Sequence, residues 1–239
     1  MCKHAPVGNI TLRLAAITLS VAPLLAVGEP LPWQEIAGDA SNSHGVTITA
    51  REVQRGKQGK YSFVRYEFSA DGFPAENCCD IWYYDLNQSI SDRGPFRLAE
   101  QFDPNAVTLT STEFIKGEWF EIGVVSEDKQ TKGFVKVVPF PIEAFDGPCH
   151  VWMETIVPGT AFGILGEGFV PGEQVTTVSQ SGRERTEDVA QIAADGKMPI
   201  TVMHPANKQR KYDASFTVIG SQCRVEVPYQ WGKPALKKQ

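Results

Sequence analysis

Long helical patterns are missing from this chain of 239 residues. No extended segment places apolar residues at i, i+3, i+4 and i+7, which excludes a bundle of amphipathic helices as the main architecture. Histidine is scarce, with four in all, and none stands in a His-x-x-x-His spacing. There is no Cys-x-x-Cys either, so a zinc site has no ligand set to build on. A Gly-x-Ser-x-Gly elbow, which would present a nucleophilic serine, is absent. "GILGEGF" (163–169) has the glycines of a phosphate loop but lacks the helix and lysine that should follow. "SEDKQTKG" (126–133) and "GRERTEDV" (182–189) read as charged hairpin tips without the Asp-x-Asp-x-Asp-Gly array of a calcium loop. Cys149 and His150 are neighbours, but on a strand they point to opposite faces and cannot form a dyad. No catalytic, cofactor or metal residues are therefore assigned, and the expectation is a protein that is not an enzyme.

An excess of positive charge is also missing. Lys and Arg number 23 against 28 Asp and Glu, a net charge of −5. The apolar run Leu14–Val27, broken only by Thr18 and Ser20, has the length of a signal-peptide core and is too short to span a bilayer. Small residues at Ala26-Val27-Gly28 put the expected cleavage before Glu29. Loss of residues 1–28 removes Lys3 and Arg13 and leaves about −7. Such a chain is a poor partner for nucleic acid, which is bound by neutralising phosphates. The expectation is an exported chain, periplasmic or extracellular, with no stable membrane span once mature.

What the chain does have is short alternating runs bounded by Gly, Pro, Asn and Asp. Seven candidate strands run from "GVTITAREV" (45–53) through "YSFVRYEFS", "DIWYYDL", "PFRLAE", "AVTLTST" and "GEWFEIGVVS" to "KGFVKVVPF" (132–140). "PFPIEAFDGPC" (139–149), with Pro139, Pro141 and Pro148, reads as a linker. Seven more follow, from "CHVWMET" (149–155) to "QCRVEVPY" (222–229). An internal echo joins the halves: "FSADGFPAEN" (68–77) and "ILGEGFVPGEQ" (164–174) each read strand, Gly-Phe, Pro, Glu, strand.

On these runs and this Gly-Phe-Pro-Glu turn, the chain resembles tandem immunoglobulin-like or fibronectin-III-like domains of exported bacterial proteins. The resemblance implies an all-β fold of two β-sandwich domains, residues 29–145 and 146–239, after a signal peptide at 1–28. It carries no functional residues. The function expected of such surfaces is binding or assembly with a protein partner. Carbohydrate recognition is the alternative, and a hydrolase is a third reading.

Four cysteines follow the expected cut. Cys149, Val151 and Met153 share one strand face, as do Cys223, Val225 and Val227, so both thiols fall on the apolar parity. First and last strands of a sandwich lie close, which predicts a Cys149–Cys223 disulfide. Three readings stay open for Cys78 and Cys79: a vicinal bond, strained because adjacent α-carbons are only about 3.8 Å apart, a bridge to Cys149 or Cys223, or reduced thiols. Among the aromatics, Trp82 and Tyr84 share one face of their strand, and Trp119 lies opposite the core row Phe120, Ile122, Val124. A tryptophan on a third strand ordinarily packs between sheets, and Trp82 is expected there, with stacking on a sugar as the other reading. Trp82, Tyr84 and Trp119 are the candidate ligand or partner surface. Trp33 and Trp231 are expected to cover edges.

Overall fold

The computed structural model describes residues 42–73, 79–91, 95–102, 107–203 and 212–239. Cys78 and Trp33 lie outside these residues, and so do the expected signal peptide and the vicinal bond. The described chain is all-β: fifteen strands in four antiparallel sheets, one short helix and a terminal 3-10 turn. It divides into two compact units. Of the described residues, unit 1 takes those up to Glu113 and Trp119–Val137, and unit 2 takes Phe114–Glu118 and those from Val138 to Gln239.

Unit 1 is made of β1 (Thr47–Gln58), β2 (Tyr61–Asp71), β3 (Cys79–Asp85), β4 (Phe96–Phe102), β5 (Val107–Thr112), β6 (Phe120–Ser126) and β7 (Lys132–Val137). β1, β2 and β5 form one sheet, and β4, β3, β6 and β7 the other, in those orders. Period-two patterning decides which side faces in. Val64, Tyr66, Phe68 and Ala70 of β2 are buried, as are Ile81 and Tyr83 of β3 and Phe120, Ile122 and Val124 of β6. The helix α1 (Leu86–Ile90) is only five residues long and owes its start to a capping box. Asp85 Oδ1 accepts from the Gln88 amide at 2.9 Å, and Gln88 Oε1 accepts from the Asp85 amide at 2.9 Å.

Unit 2 repeats the plan. Its strands are β8 (Ile142–Asp146), β9 (Cys149–Val157), β10 (Ala161–Glu167), β11 (Gln174–Ser181), β12 (Glu184–Gln191), β13 (Met198–Met203), β14 (Asp213–Ile219) and β15 (Arg224–Gln230). The order β9-β10-β13 answers β1-β2-β5, and β12-β11-β14-β15 answers β4-β3-β6-β7. β8 is the one addition, pairing with β9 at that sheet's edge. The stretch read as a linker therefore carries a strand. Its prolines stand outside Ile142–Asp146, where they remove no ladder hydrogen bond. Both sheets of unit 2 supply one core, with Val151, Met153, Phe162 and Ile164 from one and Val175, Phe216, Val218, Val225 and Val227 from the other. Cys149 and Cys223 are disulfide-bonded within it. Trp231, just after the edge strand β15, belongs to this core, and its Nε1 donates to Ser181 Oγ at 2.9 Å.

The sequence echo has a structural counterpart. Gly72 (φ +87°) follows β2, and Gly168 (φ +79°) follows β10. A Cβ at Gly72 would run into the Gly45 carbonyl, just before β1. A Cβ at Gly168 would run into the Pro148 carbonyl, just before β9. Glycine is needed at each for its positive φ and for this close approach.

Glu173 closes the second copy of the turn. Its Oε1 accepts from the Val170 amide at 2.8 Å and its Oε2 from the Ser221 amide at 2.9 Å. Burial works to raise its pKa, but the Ser221 and Val170 donors outweigh it and hold the carboxylate below its ordinary value. The folded pKa is thus depressed. The stabilisation is present above the unfolded-state pKa of about 4.3 and is lost as pH falls through the folded value. Glu173→Gln should be less stable than wild type at pH 7 by urea unfolding, and the difference should shrink at pH 3.

Candidate functional site

β3 presents two faces. Cys79, Ile81, Tyr83 and Asp85 are buried, while Asp80, Trp82 and Tyr84 are half-buried on the other side. Trp82 is therefore not packed between the sheets, which corrects the expectation drawn from its strand position. It rests against Val125 of β6 and Phe134 of β7, outside the main core. Register explains the arrangement: Trp82 faces Gly123 across the β3–β6 ladder, and Gly123 faces Phe134 across β6–β7. With no side chain at Gly123, the indole reaches across to Phe134.

The neighbours on this face are cationic. The Arg97 guanidinium lies 5.1 Å from the Trp82 ring centroid and pairs with Asp80 at 3.3 Å. Tyr84 and Trp119 meet with centroids 5.9 Å apart at 52°, and the Lys136 ammonium is 5.0 Å from the Trp119 ring. Each cation–π contact at such an exposed site contributes about 0.5–1 kcal/mol. The face thus gathers all three expected aromatics, Trp82, Tyr84 and Trp119, with Arg97 and Lys136. The two cations were not singled out from sequence, although strand parity places both on this side through Arg97↔Trp82 and Glu121↔Lys136.

Unit 2 holds a cleft of about 700 Å³ lined by Lys116, Glu143, Asp213, Tyr229, Gln230 and Lys237, among others. Asp213 Oδ1 accepts from Gln230 Nε2 at 2.9 Å. Burial pushes the Tyr229 phenol up to about 12, so it stays protonated at physiological pH. Among the described residues, no three His, Cys, Asp or Glu side chains gather as a metal-binding group. No described helix is long and apolar enough to cross a membrane.

No family model matches this chain, and no curated protein matches it either.

Proposed function

We propose that this is an exported, non-catalytic binding protein of two fibronectin-III-like units that engages a protein partner through the outer face of the β4-β3-β6-β7 sheet. The fold part of this reading is supported by the repeated seven-strand order, in which the fourth strand pairs with the third in both units. In an immunoglobulin constant domain the fourth strand joins the first and second instead. Export is supported by the apolar run Leu14–Val27. N-terminal sequencing of the mature protein should begin at Glu29.

The observation that carries the partner assignment is the convergence of Trp82, Tyr84 and Trp119 with Arg97 and Lys136 on one sheet face. Trp, Tyr and Arg are the residues that dominate protein interfaces. Here each indole already has a cation at cation–π distance, so the surface is ordered before a partner arrives. Trp119→Ala, with the fold intact by circular dichroism, should weaken a partner co-purified with the full chain at least tenfold. Carbohydrate recognition is the second reading, favoured by the half-buried Tyr84–Trp119 pair. Glycan-array binding that disappears in Trp119→Ala would replace the protein reading with it.

A further inference from the structure

The strands of the β8-β9-β10-β13 sheet contain no lysine and no arginine, yet they carry Glu143, Asp146, Glu154 and Glu167. One side of this sheet faces the unit 2 core through Cys149, Val151, Met153, Phe162 and Ile164. On the other side, Phe145 pairs with His150 and Glu143 with Trp152 across β8–β9, and Glu167 pairs with His150 across β10–β9. The imidazole of His150 stacks on Phe145 with centroids 4.0 Å and planes 5° apart, and on Trp152 at 4.8 Å and 25°. Its Nε2 lies 2.9 Å from Glu143 Oε2 and its Nδ1 3.6 Å from Glu167 Oε1. His150 therefore ties two carboxylates to an aromatic column, and the end ring, Phe145, is 65% exposed.

A ligand for this face must cover an aromatic ring and satisfy carboxylates at the same time. A guanidinium does both. Its plane stacks on the ring, and its N–H fork donates to a carboxylate. An ammonium is a strongly hydrated point charge that stacks less well. The strand charge on this face is one-sided as well: Glu143, Glu154 and Glu167 repel acidic segments and attract basic ones, while Asp146 has the parity of Cys149 and accepts from the Arg224 amide at 2.8 Å.

We propose that this face of unit 2 docks an arginine-bearing segment of a protein partner, with the guanidinium on Phe145 and its donors turned to Glu167. The side chain of Glu167 is 52% exposed and has room to accept them. None of the residues involved belongs to the aromatic face of unit 1, so the two surfaces succeed or fail separately.

The test is isothermal titration of the full chain with a blocked peptide carrying two arginines, against the same peptide with lysines and against spermidine. Saturable binding of the arginine peptide is expected, weaker at higher NaCl. It should drop at least tenfold in Phe145→Ala and in Glu167→Gln, and persist in Phe145→Tyr. Glu187→Gln, on the exposed strand β12, should leave it unchanged and so separates this site from the overall acidity of the chain. Absence of saturable binding, equal affinity for spermidine, or an undiminished affinity in Phe145→Ala would each overturn the proposal.

Discussion

Replacing Cys149 and Cys223 together by alanine is expected to lower the stability of unit 2 by about 4 kcal/mol. The bond links residues 74 positions apart, so its loss releases most of the unit's chain in the unfolded state. Both cysteines are buried, at 0% and 7% exposure, in the core shared by the two sheets. Dithiothreitol should produce the same loss in wild type and none in the double variant. Hydrogen exchange distinguishes the units: protection should fall on β9 and β15 and stay constant on β2 and β6. Val46, which precedes β1 as Cys149 opens β9, has no sulfur to offer, so this particular bond has no counterpart at the matching position of unit 1. A wild-type protein indifferent to reductant would contradict this account of how unit 2 is held.

Phe120→Ala should cost unit 1 about 3–5 kcal/mol, the range for emptying a buried phenylalanine site. Phe120 is 1% exposed and stacks on Tyr83 at 5.5 Å and 17°. It also meets Tyr66 edge-on at 6.2 Å and 69°, joining strand β6 to strand β2 of the other sheet. Burial pushes the Tyr66 phenol up to about 12. Removing Phe120 opens a void between two rings that cannot collapse without breaking strand register. Phe120→Leu should cost much less, because most of the volume is kept. Urea unfolding followed by exchange at β2 and β6 measures both. A loss under 1 kcal/mol from the alanine variant would mean that Phe120 is not the centre of that core.

Strand positions were legible because one face of each sheet is buried and the other is not, which writes a period of two into the sequence. "DIWYYDL" is the clear case: Ile81 and Tyr83 face inward, and Trp82 and Tyr84 face outward. Parity also placed both bonded cysteines. The same reading failed where local chemistry was ambiguous. Pro139, Pro141 and Pro148 looked like linker residues and hid β8, a short edge strand with only Ile142 fully buried. The helix α1 was not expected, because five residues give no apolar period to detect. Trp82 was misplaced because strand position alone does not decide parity; its alternation with Ile81 and Tyr83 does. The Phe145–His150–Trp152 column could not be seen without β8, since Phe145 reaches His150 only through the β8–β9 register.

Residues Phe114–Glu118 sit between β5 and β6 of unit 1 in sequence, yet they belong to unit 2. There the Gly117 carbonyl accepts from the Thr155 amide at 2.8 Å, the Gly117 amide donates to the Phe140 carbonyl at 2.8 Å, and the Phe114 carbonyl accepts from the Gln239 amide at 2.9 Å. A gene fragment beginning at Val138 would encode that body with a missing thread and three orphaned backbone groups. No single uninterrupted stretch of the reading frame encodes unit 2, because the two bodies are interleaved along it.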